Sequence, residues 1–307
     1  MKISVVSPVY RAENIVSDLV VQISDALESF TDNYEILLVE DGSPDFSWEQ
    51  IVIAASKNKH VRGIKLSRNF GQHIAIHAGL MHATGDWIVV MDCDLQDDPS
   101  EIPNLFSKIS DDVDAVIASR ETRKDDWLKR FTSMIFYRLF SFLAGIPFDH
   151  KVANYGIYSS RIIKAILRMG DYEKYFPAMI QWVGFKKVYL PVKHSIRHSG
   201  SSSYNYVRLI RLAINNIIAF SDKPLKITAF VGLALSGIAF VVALIYFAIS
   251  AAGIITVSGF ASLIISIYMV GGITIFALGL VGIYLSKTFS KVKNRPLYLI
   301  ENAIQLD

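Results

Sequence analysis

The chain has 307 residues, of which 52% are hydrophobic, and its formal net charge is +3. This length is enough for one large domain with an additional segment, and the small net charge gives no indication of a nucleic-acid partner. Cys93 is the only cysteine, which excludes an internal disulfide and fits a reducing compartment.

Strands and helices are predicted to alternate along the first part of the chain. Apolar runs predict strands at Ile3–Val9, Tyr34–Val39, Val61–Leu66, Ile88–Met91 and Val113–Ala118. Helical spacing predicts helices over Glu13–Phe30, from Phe46 onward, and from the loop after Asn69 to Ala83. Further along, we expect helices over Trp127–Leu143 and Phe176–Val183 and strands at Tyr155–Ser159 and Lys187–Val192. This alternation is typical of an α/β fold with a doubly wound, mostly parallel sheet.

The strand Ile88–Met91 ends in a cluster of acids that begins with Asp92 and Asp94. Alternation along an extended chain directs these two carboxylates to one side and Cys93 into the fold. Carboxylates that converge repel one another unless a cation joins them, and Mg²⁺ prefers oxygen ligands shared with substrate phosphates. The alternative is a solvated acidic turn before a helix that starts at Pro99, and a motif this short would favour it if it stood alone.

Polar residues follow other predicted strands, notably Asp41 after the second and Arg120 after the fifth. In a doubly wound sheet these strand ends share one crevice, where ligands bind. The sequence has neither of the two common glycine-rich phosphate loops, so metal and arginine would hold phosphates instead. His73 and His77 have no third ligand at a fitting spacing, so we expect polar residues near a nucleotide pocket rather than a metal pair.

Residues Ile227–Ser286 include no Asp, Glu, Lys, Arg or His. A bilayer core needs about 20 apolar residues per helix, so this run predicts two membrane helices, Ile227–Ile249 and Phe260–Leu285, with a loop around Ser250–Ser258. A buried hairpin of a soluble core is the alternative, which the charge-free length disfavours. Basic residues flank the run on both sides (Lys223, Lys226, Lys287, Lys291, Lys293 and Arg295). The positive-inside rule places both flanks in the cytoplasm and the loop outside.

These predictions divide the chain into four parts. Residues 1–203 form a cytoplasmic α/β domain, 204–226 an amphipathic juxtamembrane helix, 227–286 the two membrane helices and 287–307 a cytoplasmic tail. Arg208 and Arg211 lie among apolar residues in the helix Tyr204–Phe220, which suits a membrane interface, although an ordinary surface helix has the same pattern. Met1 and Lys2 lead directly into a strand, so we expect no signal peptide.

A series of short motifs carries a family resemblance when taken in order. They are Ser7–Tyr10, Glu40–Ser43, Ser67–Gly71, Met91–Asp97, Ala118–Arg120, Arg197–Tyr204, Phe220–Leu225, Gly282–Leu285 and Lys293–Tyr298. In this order, ahead of two membrane spans, the chain resembles glycosyltransferase family 2, which has the inverting GT-A fold. Within it, the chain is similar to the polyisoprenyl-phosphate glycosyltransferases, the group of dolichol-phosphate mannose synthases and bactoprenol glucosyltransferases.

The resemblance implies roles for particular residues. It implies that a nucleotide diphosphate sugar, UDP-linked by analogy, contacts Pro8, Tyr10, Asp41, Ser67, Asn69 and Asp92. It implies that Mg²⁺ or Mn²⁺ is held by Asp92, Asp94 and Gln96, and that Asp94, Arg120, Arg197 and Asn154 act in catalysis. The two arginines would bind the acceptor phosphate or the leaving diphosphate, although each could instead form a surface ion pair.

The resemblance also implies the acceptor and the location. A polyprenyl phosphate, undecaprenyl phosphate by analogy, would accept the sugar at the inner membrane, with the enzyme multi-pass and its catalytic domain facing the cytoplasm. The resemblance leaves open whether the protein forms a homo-oligomer. Two other functions fit the sequence less well. A processive polysaccharide synthase would have a Gln-x-x-Arg-Trp signature, which Gln181-Trp182 does not match. A non-enzymatic, membrane-anchored nucleotide-sugar binding protein is disfavoured by the acids Asp92 and Asp94.

One motif departs from the family. Relatives with a bacterial lipid acceptor have Gly-Asp-Phe-Arg where this chain has Ala153–Gly156, so the acid sometimes proposed as the base is Asn154. Asparagine cannot act as a base. Either another acid serves, Asp149 or Asp94, or no base is needed, because a phosphate monoester with a second pKa of about 6 is already ionised at neutral pH. We favour the second alternative, with Asn154 as a hydrogen-bonding residue.

Overall fold

A mixed sheet with helices on both faces precedes two long apolar helices in this computed structural model. The structure describes residues 1–120, 138, 141–143, 152–171, 174–192, 217–218, 221–251 and 259–306. The strands are β1 Ile3–Val9, β2 Tyr34–Glu40, β3 Val61–Leu66, β4 Trp87–Val90, β5 Ala115–Arg120, β6 Val152–Ser159, β7 Lys187–Val192 and β8 Ile300–Ile304. The helices are α1 Val16–Glu28, α2 Ser47–Lys57, α3 Gln72–His82, α4 Ile102–Phe106, α5 Ser160–Leu167, α6 Phe176–Trp182, α7 Lys223–Ala251 and α8 Phe260–Val292.

The strand order is β7-β5-β6-β4-β1-β2-β3-β8. Strands β1 to β4 are parallel to one another, whereas β6 and β8 run antiparallel to their neighbours. Every residue of β1 and β2 is buried, because helices cover both faces of the sheet centre. Helices α1 and α2 pack on one face, and α3, α5 and α6 on the other. The predicted α/β class with a mostly parallel sheet is confirmed.

The predicted strands agree with the structure at β1, β3 and β7. Strand β5 starts two residues later than predicted and continues to Arg120, and β6 starts at Val152 instead of Tyr155. Most of the predicted helix Trp127–Leu143, the loop Arg197–Tyr204 and most of the helix Tyr204–Phe220 lie outside the described residues. Helix α7 begins at Lys223, inside the predicted juxtamembrane segment 204–226.

The residues predicted as a cytoplasmic tail, 287–307, continue α8 and then form an edge strand of the sheet. Helix α8 continues to Val292, and Ile300–Ile304 then forms β8 along the edge of the sheet, antiparallel to β3. Four of its five residues are exposed, so the strand has none of the buried alternation by which strands are predicted. Its pairing with β3 is made by backbone groups, which leave no pattern in the side chains.

Helices α7 and α8 expose apolar side chains, including Phe230, Leu233 and Ile275, each 73% exposed. Both are long and apolar enough to cross a membrane, by length and composition. The predicted spans Ile227–Ile249 and Phe260–Leu285 fall inside these helices. Helix α8 has 33 residues, which corresponds to about 50 Å and exceeds a bilayer core of about 30 Å, so its basic end would reach beyond the apolar layer.

Candidate active site

The carboxyl ends of the parallel strands bring most of the predicted site residues to one edge of the sheet. Pro8 is buried near the end of β1, and Tyr10 follows it with 42% of its surface exposed. Asp41 follows β2, and Ser67 and Asn69 follow β3 as exposed loop residues. Asp92, Asp94 and Gln96 follow β4, Arg120 ends β5, and Asn154 lies near the start of the antiparallel β6, which is the same edge. Arg197 lies outside the described residues.

The turn after β4 presents the two acids and turns the cysteine inward. Asp92 and Asp94 are partly exposed, whereas the side chain of Cys93 packs against the core cluster around β1. Burial raises the pKa of the Cys93 thiol to about 12, although a hydrogen bond from the backbone of Tyr10 opposes the shift. The packing of Cys93 agrees with the predicted inward side chain, although the residue is partly rather than fully buried. Leu95 has a φ of 54°, a left-handed conformation that is uncommon outside glycine and tightens the turn.

The carboxylate of Asp92 is positioned by a residue that the sequence did not single out. Gln72, the first residue of α3, donates from Nε2 to Oδ1 of Asp92 at 2.5 Å. The backbone amide of Gln96 donates to Oδ1 of Asp94 at 3.2 Å, so the turn also holds its own second acid. A glutamine at a helix start gives no sequence signal of this role, because its partner lies on another loop.

Asp41 is bound by the loop that precedes α3. It is 3% exposed, and its two carboxylate oxygens accept the backbone amides of Phe70, at 2.7 Å, and Gly71, at 2.9 Å. Burial raises the pKa of Asp41 above its ordinary value, and the two amides oppose that shift. Together with Gln72, this loop connects the end of β2 to the acidic turn after β4.

The loops after β2 and β3 lie close together at Gly42. This glycine has a φ of +59°, and a Cβ there would overlap the backbone of Asn69 and lie 2.7 Å from Cα of Arg68. Only a residue without a side chain permits this approach. The loop after β1 is joined to the same place, because the amide of Arg11 donates to Oγ of Ser43 at 2.8 Å.

The divergent motif on β6 is built into the sheet. Gly156 pairs with Val90 of β4 and Ile117 of β5, and a Cβ there would lie 2.9 Å from the carbonyl oxygen of Val116 and 3.1 Å from Cα of Ile117. An arginine, which the resemblance implies at this position, therefore does not fit this backbone. Asn154 is partly buried and lies two residues closer to the edge where Asp92 is found.

His77 is buried, and His73 is partly buried. The ring of His73 packs edge-to-face on Tyr175 with centroids 4.7 Å apart. Burial lowers the pKa of each histidine to about 4, and the nearby charge of Lys174 adds to the effect at His77. Both imidazoles are therefore neutral at pH 7. Within the described part of the chain, they belong to no group of metal-ligating side chains.

The acidic turn supplies part of the ligand shell of a divalent cation. Among the described residues, no group of three or more His, Cys, Asp or Glu side chains could hold a metal ion. The turn offers the carboxylates of Asp92 and Asp94 and the amide oxygen of Gln96, all hard oxygen donors. Mg²⁺ is typically bound by one or two carboxylates, with waters and substrate phosphates completing the shell. The residues fit a cation shared with a diphosphate and do not fit a fully caged ion.

The chain is similar in sequence to proteins of one enzyme family. The profile of glycosyl transferase family 2 matches residues 4–167. An uncharacterised glycosyltransferase of Synechocystis sp. is 30% identical over 305 residues, which cover 98% of this chain and 95% of that protein. The uncharacterised glycosyltransferase YkcC of Bacillus subtilis is also 30% identical over 305 residues, covering 99% and 94%. The chain therefore belongs to glycosyl transferase family 2.

A solved structure shows the same fold. The mannosyltransferase PcManGT from Pyrobaculum calidifontis, in complex with GDP-Man and Mn²⁺, superposes with a TM-score of 0.51 at 15% identity. The match covers 96% of this chain and 88% of that one. The catalytic domain thus has a GT-A-like α/β fold, as the resemblance implied.

Proposed function

We propose that this protein transfers a sugar from a nucleotide diphosphate sugar, UDP-linked, to a polyprenyl phosphate, undecaprenyl phosphate, and so makes a lipid monophosphate sugar for modification of cell-envelope glycans. One observation carries the proposal: the acidic turn Asp92–Asp94 lies at the ligand-binding edge of the sheet, and the same chain continues into two apolar helices. A family 2 enzyme with an anchor of this kind is suited to an acceptor that resides in the membrane.

The donor would lie along the edge formed by β1, β2, β3 and β4. Pro8, Tyr10 and Asp41 would border the nucleoside. The loop Ser67–Gly71, named here the donor loop, would also border it, and the amides of Phe70 and Gly71 in this loop bind the carboxylate of Asp41. The PcManGT complex with GDP-Man and Mn²⁺ supports a nucleotide-sugar donor and a divalent cation for this fold.

Asp92, Asp94 and Gln96 would hold Mg²⁺ or Mn²⁺ beside the donor diphosphate. When bound, the cation would neutralise negative charge on the departing nucleotide diphosphate. Gln72 fixes the orientation of Asp92, so that this carboxylate is in place before the donor arrives. Such preorganisation avoids the cost of ordering the side chain during the reaction.

The acceptor phosphate would attack the anomeric carbon from the face opposite the leaving group, which inverts the configuration. Arg120 and Arg197 would hold the phosphate oxygens, because a guanidinium offers paired donors to phosphate. A phosphate monoester with a second pKa of about 6 is dianionic at neutral pH, so this nucleophile needs positioning rather than a base. Asn154 can donate a hydrogen bond to the sugar or the phosphate without adding negative charge.

The proposed location is the inner membrane, with the catalytic domain in the cytoplasm. Strand β8, after the second apolar helix, pairs with β3, before the first one. If α7 and α8 cross the bilayer, their outer flanks must therefore lie on the same side. The basic residues at these flanks support the cytoplasmic side. A green fluorescent protein fused after Asp307 should fluoresce, and an alkaline phosphatase fused there should be inactive; an active phosphatase would contradict the topology.

The function is tested by supplying the purified full-length protein, in detergent, with a panel of nucleotide sugars, Mn²⁺ and undecaprenyl phosphate. Undecaprenol, which has no phosphate, is the matched control acceptor. We expect one donor to give a lipid monophosphate sugar, detected by mass spectrometry, and the control to give none. A growing polymer would identify a processive synthase instead. Nucleotide binding without any product would identify a binding protein.

A further inference from the structure

The residues after α8 contact the first residue of the donor loop. We call residues 298–306 the C-terminal segment. The backbone amide of Ser67, the first residue of the donor loop, donates to the carbonyl of Leu299 at 2.9 Å. Next to this contact, β8 pairs antiparallel with β3, with an irregularity between Lys65 and Leu66. The start of the donor loop is therefore fixed by the C-terminal segment.

The C-terminal segment is anchored at its two ends. Tyr298 and Leu306 are partly buried and pack against one small apolar cluster of Val39, Ile64, Leu66, Ala75 and Ala78. Gln305 adds a hydrogen bond from Nε2 to the carbonyl of Ala55 at 2.7 Å. The residues between the anchors are largely exposed, with Leu299 at 55% and Ile300 at 40%. The segment thus attaches through its ends and contributes little to the core between them.

Phe70 of the donor loop packs against the same cluster as Tyr298. The backbone amide of Phe70 is also the donor that binds Oδ1 of Asp41 at 2.7 Å. The guanidinium of Arg68 lies over the Phe70 ring, 4.2 Å from its centroid, and covers it from the solvent side. One residue therefore connects the packing around Tyr298 to the carboxylate that is predicted to contact the nucleotide.

We infer that Tyr298 is a positioning residue for the nucleotide donor: its ring completes the apolar cluster on which Phe70 rests, and through Phe70 it sets the donor loop and Asp41. This inference rests on the proposed function, because it takes the donor loop to be part of the nucleotide site. It makes a residue beyond the membrane helices part of the catalytic domain's binding site.

The experiment measures nucleotide affinity in the full-length protein in detergent. UDP and GDP, each with Mn²⁺, are titrated calorimetrically into wild type, Tyr298→Ala, Tyr298→Leu and Tyr298→Phe. Glu301→Gln is the matched control, because Glu301 lies on β8 and forms only an exposed ion pair with Lys65 at 3.1 Å. Calorimetry separates the dissociation constant, which reports on the site geometry, from the stoichiometry, which reports on the folded fraction.

We expect Tyr298→Ala to raise the Kd of the nucleotide that binds by about tenfold at unchanged stoichiometry. Tyr298→Phe, which keeps the ring, and Glu301→Gln should match wild type. If Tyr298→Ala does not fold, Tyr298→Leu carries the measurement, with a smaller rise in Kd. If Tyr298→Ala or Tyr298→Leu binds with the wild-type Kd but with a lower stoichiometry, Tyr298 has only a structural role. That result would overturn the inference and leave the proposed function standing. A wild type that binds neither nucleotide would overturn the proposed function itself.

Discussion

Replacing Gly42 by alanine should damage both the stability of the domain and its nucleotide site. The glycine lies in a left-handed conformation with a φ of +59°, and the added Cβ would overlap the backbone of Asn69 and lie 2.7 Å from Cα of Arg68. Backbone atoms cannot rotate away as a flexible side chain can. The loops after β2 and β3 must therefore separate, which strains the hydrogen bonds from Phe70 and Gly71 to Asp41.

The magnitude follows from two contributions. A left-handed conformation costs a residue with a Cβ about 1–2 kcal/mol. Overpacking against a site that cannot relax adds about 1–3 kcal/mol. Gly184→Ala isolates the first contribution, because Gly184 has a φ of +73° and nothing lies within 4 Å of the Cβ position. Gly42→Ala should therefore lower the unfolding free energy by about 2–5 kcal/mol. Gly184→Ala should lower it only by the cost of the left-handed conformation, about 1–2 kcal/mol.

The assay compares thermal unfolding and UDP or GDP binding of the two variants. Each kcal/mol corresponds to roughly 2–4 °C in Tm for a domain of this size class, so Gly42→Ala should melt several degrees below Gly184→Ala. Only Gly42→Ala should also lose nucleotide affinity. Equal melting temperatures, or a Gly42→Ala variant that binds nucleotide as wild type does, would refute the argument from the close approach of the two loops.

Two further predictions concern an acid in the site and an acid far from it. Asp94→Ala should abolish Mn²⁺-dependent transfer in a protein that stays folded and membrane-bound; full activity of this variant, or of wild type in EDTA, would remove the metal site. Burial raises the pKa of Glu35, but hydrogen bonds from Lys2, Ser4 and Thr84 outweigh burial and leave the pKa below its ordinary value of 4.5. The resulting stability is present above pH 4.5 and is lost as the pH falls further. The difference in unfolding free energy between wild type and Glu35→Gln, about 1–3 kcal/mol at pH 7, should therefore shrink in acid. A stability difference between wild type and Glu35→Gln that does not change with pH would contradict this prediction.

The acidic turn could be predicted from the sequence because its signals are local. An apolar run that ends in Asp92 and Asp94 identifies a strand end, and the parallel topology then brings Asp41 to the same edge. The inward side chain of Cys93 followed from alternation alone. Each of these predictions uses neighbours in the sequence and one general rule about sheets.

The supports of the site could not be predicted, because they depend on contacts between distant parts of the chain. Nothing near Gln72 indicates that it binds Asp92, and nothing in Ile300–Ile304 indicates that it pairs with β3. Backbone amides like those that bind Asp41 are present at every residue except proline and carry no sequence signal. The sequence therefore predicts the groups that meet the ligand better than the groups that position them.

The altered motif on β6 includes two changes, at Asn154 and Gly156, that have different physical causes. At Gly156 the limit is space, since a Cβ would lie 2.9 Å from the carbonyl of Val116 and 3.1 Å from Cα of Ile117. At Asn154 the limit is chemical, since an amide replaces a carboxylate of nearly the same shape. The isosteric change at Asn154 can therefore be tested alone, without the packing damage that an arginine at 156 would bring.

Asn154→Asp restores the acid, and we expect no gain in transfer rate, because an ionised acceptor phosphate needs no base. A slower rate is consistent with the same reasoning: a new negative charge 4 Å from the phosphate costs about 1 kcal/mol in water-like surroundings and more when water is excluded. In both proteins the rate should rise with pH around an apparent pKa of roughly 6, that of the phosphate itself. If instead Asp149 is an essential base, Asp149→Asn should abolish turnover while undecaprenyl phosphate still binds. That outcome, or a large acceleration by Asn154→Asp, would overturn the base-free mechanism and leave the proposed reaction class intact.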